Sequence, residues 1–347
     1  MRKEKRVLNP NIYPDSVVEN LSAHLDPGND GMKKPSFEHS FVFICGKQIL
    51  DKNGNRVPRS EQSNTNRYNI ADFITRQNSK INIVFSEDFY NEKQNLDLLT
   101  FEEFLAEVCD LIILPVESAG TICELGAFSH SSEELNKKLV ILVEKEYENN
   151  KSFIVQGPIE KSRNAGASIL YAPVKDDDTS ILSLNVQTTL KYRLSTLLKN
   201  RKLNNPKSNP TQARLDSFVH EIMDLLLIAS PISLSDLMML YREVKGYKKD
   251  IGLIMDNENG AGKRIKIKHI LAFLESANLA SKKTLTVPTS KNHSRKIDYY
   301  YSTEILDKNQ LFLFNRTIST YNALQQQRVN ILERKYRFKD ESVMGNA

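Results

Sequence analysis

From residue 40 to about residue 200 the chain alternates short, wholly apolar runs with amphipathic stretches; after that the short runs stop. Phe41-Val-Phe-Ile-Cys45, Ile81-Asn-Ile-Val-Phe85, Leu111-Ile-Ile-Leu-Pro115, Leu139-Val-Ile-Leu-Val143 and Ile169-Leu-Tyr-Ala-Pro173 read as buried strands. Between them the spacing predicts helices over 68–76, 100–108 and 121–128, and a closing helix over 179–199. Thr100-Phe-Glu-Glu103 has the spelling of a capping box at the start of the second helix. Strands and helices alternating at these lengths predict an α/β fold with a doubly wound, mostly parallel sheet.

The polar, basic stretch Lys199-Asn-Arg-Lys-Leu-Asn-Asn-Pro-Lys-Ser-Asn-Pro210, with two prolines, reads as a linker. Beyond it the pattern is helical over 213–228, from Ser233-Leu-Ser-Asp236 to about residue 244, and over 263–279. Thr284-Leu-Thr-Val287 and Lys296-Ile-Asp-Tyr-Tyr-Tyr301 then read as two strands around a hairpin loop at 288–294. Three helices and a β-hairpin are the order of a winged helix-turn-helix. Leu311–Phe338 reads as one long helix suited to packing or self-association, so a homo-oligomer is a possible assembly. The expected organisation is an N-terminal arm (1–39, broken by four prolines), an α/β domain (40–200), a linker (201–212), a winged-helix domain (213–302) and a C-terminal helix (303–347).

Charge sharpens this division. The net charge is +5, yet residues 199–302 carry 18 Lys and Arg against 10 Asp and Glu, a balance of +8 that leaves −3 elsewhere. A basic module joined to a mildly acidic one suggests a ligand-binding or catalytic part beside a polyanion-binding part. Hydrophobic residues at 40% of the chain are enough for a full core and argue against global disorder. No run reaches the ~18 apolar residues of a spanning helix, and the basic start lacks the apolar core of a secretory signal. A cytoplasmic protein without a membrane partner is expected. Cys45, Cys109 and Cys123 sit in or beside apolar runs and read as buried, reduced thiols. No Cys-x-x-Cys or His-x-x-x-His spacing is present, so no metal site is expected.

Candidate chemistry gathers where the third strand runs into Pro115-Val-Glu-Ser-Ala-Gly-Thr-Ile-Cys-Glu-Leu-Gly-Ala-Phe128, because open α/β sheets bind ligands at their strand ends. Gly120 permits close backbone approach, and a helix starting near Thr121 offers amides to a phosphate or sugar oxygen. Glu124, about one turn into that helix, is placed to attack an anomeric carbon or to stabilise an oxocarbenium-like transition state. The same residues allow a second reading: Thr121-x-x-Glu124 also spells a capping box, in which Glu124 merely satisfies backbone. Glu117 and Ser118 are either site groups or loop solvation. Glu87 and Asp88 would bind ribose hydroxyls or cap the following segment, and Gln156-Gly-Pro158 would line a pocket or make a turn. In the basic module, Lys263, Arg264, Lys266 and Lys268 surround the start of the third helix, and Lys282, Lys283, Lys291, Arg295 and Lys296 decorate the hairpin. They suit phosphate contacts or a solvated face; nothing spells base readout.

Glu117-Ser-Ala-Gly-Thr-Ile-Cys-Glu-Leu-Gly-Ala-Phe128 resembles the Gly-x-x-x-Glu-Leu-Gly signature of the nucleoside 2′-deoxyribosyltransferase family. More closely, the chain resembles the deoxyribosyltransferase-like toxin effectors of bacterial retrons. Phe43-Ile-Cys-Gly46, Ser86-Glu-Asp-Phe89, Leu105-Ala-Glu-Val-Cys-Asp-Leu-Ile-Ile-Leu114 and Ser152-Phe-Ile-Val-Gln-Gly-Pro158 carry that likeness, in order, over about residues 40–200. It implies a deoxyribosyltransferase-like fold with Glu124 as catalytic carboxylate, and Cys45, Gly46, Glu87, Asp88, Glu117, Ser118, Gly120 and Thr121 around the substrate. It further implies an anti-phage N-glycosidase that takes NAD as substrate, needs no cofactor, and is controlled by a reverse transcriptase and its multicopy single-stranded DNA. Two departures from the metabolic transferases weigh against salvage base exchange. Ser118 stands where they carry an aspartate, and the first strand ends in Cys45-Gly-Lys. The alternative is a non-catalytic regulator, with the α/β part sensing a nucleotide and the winged helix binding operator DNA.

Overall fold

A computed structural model describes residues 39–47, 49, 51–53, 57, 65–78, 80–88, 97–175, 179–203, 215–244, 253–255, 263–290, 293–303 and 326. The expected N-terminal arm but for residue 39, most of the expected linker, the expected long helix at 311–338 but for residue 326, and Lys291 lie outside them. The chain divides into two compact units at Asn204.

The unit Glu38–Asn204 is built on five strands: Ser40–Ile44 (β1), Ile81–Val84 (β2), Leu111–Pro115 (β3), Leu139–Glu144 (β4) and Ser168–Ala172 (β5). All neighbours pair in parallel, in the order β2-β1-β3-β4-β5. The helices are Asn66–Gln77 (α1), Leu98–Val108 (α2), Ala119–Ser129 (α3), Glu133–Lys137 (α4), Glu160–Asn164 (α5) and Leu184–Leu203 (α6). A π-helical turn, Val155–Ile159, leads into α5.

Apolar strands demand cover on both faces, and the period of two divides their side chains between two helical layers. Val42, Ile44, Leu111, Ile113, Val140 and Leu142 pack with Ile70, Ala71 and Ile74 of α1 and Val186, Leu190 and Leu194 of α6. The alternate positions, Phe43, Ile112, Leu114 and Ile141, are equally buried. Of the three cysteines expected to be buried, Cys45 and Cys109 are, whereas Cys123 is exposed on α3. Phe43 meets Phe128 of α3 edge-on, with ring centroids 6.5 Å apart.

Two helices begin earlier than the capping spellings predict. The α2 cap is Asp97, which accepts the Thr100 N–H at 2.8 Å; Thr100 is therefore the third residue of the helix rather than its cap. The α3 cap is Ser118, which accepts the Thr121 N–H at 3.2 Å. In both cases a short polar side chain one turn upstream reaches the free amides first.

In the second unit, Leu215–Ala229 (α7), Leu234–Val244 (α8) and Ile267–Ser276 (α9) accompany a three-stranded antiparallel sheet. Its strands are Ile232–Ser233 (β6), Ala280–Ser290 (β9) and His293–Ser302 (β10), with β10 in the centre. Ser233 opens α8 by accepting the Asp236 N–H at 3.2 Å, as its sequence suggests. Two expectations are corrected. Lys263–Ile265 is not helical but forms a strand (β8) paired antiparallel with Leu253–Met255 (β7), with Ile265 buried. The hairpin strands also extend through most of the expected loop, since the β9–β10 register continues to Ser290 and His293. No helix among the described residues is long and apolar enough to cross a membrane.

Candidate functional site

The strand order places a topological switch point between β1 and β3: the chain leaves β1 toward β2 on one side and returns to β3 on the other. The connections diverge there and open a crevice at the carboxyl ends of the two strands. Cys45 and Gly46 continue β1 into it, and Val116, Glu117 and Ser118 continue β3.

The α3 start answers the capping reading of Glu124. Ser118 and Thr121 form the capping box themselves: the Ser118 oxygen takes the Thr121 amide, and the Thr121 hydroxyl accepts the amides of Ser118 at 2.9 Å and Glu117 at 3.0 Å. The capping-box glutamate has no amide left to serve. Glu124 is the sixth helical residue, half a turn deeper than expected, and its Oε2 is buried without a hydrogen-bond partner among the described residues.

Around this carboxylate lie Cys45, Glu102 and, somewhat farther off, Glu87 and Arg67. Burial is the main cause that pushes the Glu124 carboxyl up to about 7; the Glu87 charge adds to it, while hydrogen bonds from Cys45 and Glu102 and the Arg67 charge oppose it. Glu102, only 6% exposed on α2, is pushed up to about 8, first by burial, then by the charges of Glu124 and Glu87. Burial raises the proton affinity of both carboxyls, so the pair holds a proton above the ordinary carboxylate range. Burial, with the Glu124 charge behind it, raises the Cys45 thiol well above its ordinary range, so Cys45 is a neutral donor rather than a nucleophile.

On the far side of the crevice, Arg67 is completely buried in the first turn of α1. Its Nη1 donates to Glu87 Oε1 at 2.5 Å, and its guanidinium lies 5.1 Å from the centroid of Phe85. Tyr68 stacks on the same ring at 5.4 Å. Glu87 keeps its Oε2 buried and unpartnered among the described residues. One buried cation thus pairs with Glu87 and also acts on the Glu124 carboxylate.

Glu117 lies at the same switch point with a different task. Its Oε1 accepts the Lys47 N–H at 2.5 Å and its Oε2 accepts from Asn66 Nδ2 at 2.7 Å, tying the ends of β3, β1 and α1 together. Gly46 sits at φ +145°, and a Cβ there would come within 3.0 Å of Glu117 Oε1 and 3.1 Å of Arg67 Cβ. Gly46→Ala is therefore expected to destabilise the unit by about 1–3 kcal/mol. A lower urea midpoint with an unchanged slope checks this; an unchanged midpoint contradicts it.

Of the remaining candidates, Ser118 and Thr121 spend their hydroxyls on the cap. Gly120 is exposed, and a Cβ there would touch only Ser118 Oγ, at 3.7 Å. Asp88 ends the short 3₁₀ turn Ser86–Asp88 after β2. Gln156, Gly157 and Pro158 form the π-helical turn rather than a loop. The sequence reading missed Glu102 and Arg67, although the signal was there. Glu102 falls on the apolar stripe with Leu105, Ala106 and Cys109, and Arg67 shares the phase of Ile70, Ala71 and Ile74. A charge in a buried phase is the informative exception to an amphipathic pattern. Among the described residues no group of three or more His, Cys, Asp or Glu is arranged to hold a metal ion.

The second unit spreads its candidate cations more widely than a single patch. Lys263 and Arg264 lie on β8. Lys266 is exposed at the α9 cap, where its N–H donates to His269 Nδ1 at 3.0 Å, and Lys268 is half-buried in the first turn. Lys282, Lys283 and Lys296 are exposed on the hairpin, and Arg295 belongs to β10. The pairs Lys282↔Tyr300, Lys283↔Tyr299 and Lys296↔Thr286 put Lys282 and Lys296 on one face of the ribbon and Lys283 on the other.

Comparison with known proteins supplies the remaining context. The chain is 28% identical over 236 residues to the "Retron Ec73 putative ribosyltransferase/DNA-binding protein" of Escherichia coli, a match spanning 63% of this chain and 72% of that one. It is 26% identical over 186 residues to the "Retron Ec86 putative ribosyltransferase/DNA-binding protein" of Escherichia coli, spanning 52% of this chain and 56% of the relative, less than two thirds of its length. The family model of the STM3845 retron effector protein matches residues 63–282, which takes in Arg67, Glu87, Glu102 and Glu124 as well as α7, α8 and α9 of the second unit. With well over half of its length matched, and with both units in the match, the chain belongs to the STM3845 retron effector protein family.

Proposed function

We propose that the chain is a nucleotide N-glycosidase joined to a nucleic-acid-binding module, acting as the toxic, anti-phage effector of a retron. One observation carries the catalytic reading: Glu124 is released from capping by Ser118 and Thr121, and it holds a buried, unpartnered oxygen at the switch point. A buried polar atom without a partner calls for a ligand, and a carboxylate in an α/β crevice suits an anomeric carbon. The names of the two Escherichia coli relatives support transfer chemistry at ribose and contact with DNA. In this reading the Glu38–Asn204 unit has a deoxyribosyltransferase-like fold, and the second unit is a winged helix.

NAD is the proposed substrate. Ionised Glu124 meets ribose C1′ as the C1′–N bond breaks, and the nitrogen keeps the bonding electrons, so cationic nicotinamide leaves neutral without a general acid. Water then adds to C1′ and gives up a proton, leaving ADP-ribose and nicotinamide. Cys45 and protonated Glu102 orient Glu124, and the negative balance of the pair favours the positive charge of the transition state. In this reading Asp88 and Glu87 meet ribose hydroxyls, with Gly46, Gly120 and Glu117 as crevice wall. The test is to incubate full-length protein, alone and with its retron reverse transcriptase and multicopy single-stranded DNA, with NAD and to assay nicotinamide. Release that disappears in Glu124→Gln supports the reading; no release in either state overturns it and leaves the nucleotide-sensing regulator.

The nucleic-acid part has its own check. The Lys282→Glu/Lys296→Glu variant, altered on one face of the hairpin, is expected to bind single-stranded DNA about tenfold more weakly, with the logarithmic salt slope reduced by about 1–2. Filter binding over a salt series measures both quantities. An unchanged slope would remove that hairpin face from DNA contact.

A further inference from the structure

Phe153 is the most exposed large apolar side chain among the described residues, 88% open to solvent. It stands on the first turn of the helix that continues through Val155–Ile159 into α5, a turn anchored by buried Val155 and Ile159. Gly157 lies beneath its ring: a Cβ at that position would come within 3.6–3.8 Å of three ring atoms. The missing side chain at Gly157 leaves the space beside the ring open, and the ring is exposed almost throughout.

The topology fixes where this ring sits. In an all-parallel sheet the connection leaves each strand at its carboxyl edge and must run back, so the first helix after β4 begins toward the edge where the helices carrying Glu102 and Glu124 also begin. The π-helical turn also packs against α3, the helix that carries Glu124. Ile122, at 48% exposure, adds a second apolar group on α3. π-turns of this kind re-aim the residues around them and recur at functional sites.

We infer that Phe153 is the stacking surface for the second base of a dinucleotide substrate. The inference rests on the N-glycosidase reading and extends it from the scissile sugar to the far end of the molecule. The base bonded to C1′ leaves beside the buried carboxyls, a depth to which an 88% exposed ring does not belong. The group that fits Phe153 is a flat aromatic ring tethered farther out, through the phosphates. Any base offers a π face, so the ring supplies grip with little base preference.

The experiment uses the full chain carrying Glu124→Gln, so that substrate survives, titrated with the fluorescent ethenoadenine analogue of NAD. Adding Phe153→Ala or Phe153→Leu is expected to weaken binding about tenfold, while Phe153→Trp keeps it within about twofold. Competition by nicotinamide mononucleotide, which lacks the second base, is expected to be the same in all four proteins. Equal binding by the Ala and Trp variants, or an equal loss for the mononucleotide, overturns the inference. Phe153-dependent binding with no NAD cleavage by the unsubstituted protein would overturn the N-glycosidase reading and leave the stacking role standing; cleavage with no dependence on Phe153 does the reverse.

Discussion

Glu124→Gln is expected to lower NAD cleavage by roughly 10²–10⁴-fold or more while leaving the fold intact. Glutamine keeps the volume and can still accept from Cys45 and Glu102, but it carries no negative charge to meet C1′. The variant also removes an acid whose burial already pushes its proton affinity up, so no loss of stability should accompany the loss of rate. Single-turnover release of nicotinamide, read beside a urea titration, separates the two effects. A variant that unfolds more easily but keeps its rate would show that Glu124 is a structural residue. A capping role is already disfavoured, because Ser118 and Thr121 satisfy the amides that Glu124 would have served.

The second large effect belongs to Glu102. In the proposed mechanism activity requires one ionised and one protonated carboxyl in the Glu102–Glu124 pair, so the rate of the unsubstituted protein should rise as the pair loses its first proton, near pH 7, and fall as it loses its second, near pH 8. Above that point two adjacent carboxylates repel and the hydrogen bond that orients Glu124 is gone. Glu102→Gln keeps an N–H donor that cannot ionise, so the alkaline limb should disappear, with activity at pH 9 about tenfold above the unsubstituted protein. A retained limb would assign it to another group.

Stability should move with the same proton. The folded state holds the Glu102 proton up to about pH 8, whereas an unfolded glutamate releases it near pH 4.5. The native state therefore binds more protons across that window, and its stability falls as pH rises through it, by at most about 1.4 kcal/mol per unit from this group. Below the unfolded value the penalty is absent, and above pH 8 it is constant. Glu102→Gln removes that slope. Its melting temperature should therefore gain on the unsubstituted protein from pH 5 to 8, and a parallel pair of curves would refute the shared-proton account.

The α/β character was legible because apolar runs such as Phe41-Val-Phe-Ile-Cys45 and Leu139-Val-Ile-Leu-Val143 have only one economical burial, inside a sheet covered on both faces. Helix starts were less legible. Thr100 and Thr121 both carry a glutamate three residues on, and both spellings misled because Asp97 and Ser118 compete for the same amides from one turn upstream. Lys263-Arg-Ile-Lys-Ile illustrates the same limit in the second unit. Its alternation of cation and isoleucine spans the strand end and the helix start and marks neither, and pairing with Leu253–Met255 makes Lys263–Ile265 a strand.

The sequence by itself determined the division into an α/β part and a basic part, the five strands, and the candidacy of Glu124, since composition, period and motif are properties of neighbours along the chain. Only the tertiary structure decided that Arg67, Glu87, Glu102 and Glu124, drawn from four separate segments, share one crevice, and that Lys282 and Lys283 point to opposite faces. The physical reason is that desolvation and Coulomb interaction depend on distance through space. The order of strands, β1 between β2 and β3, brings those side chains together, and no local pattern encodes that order.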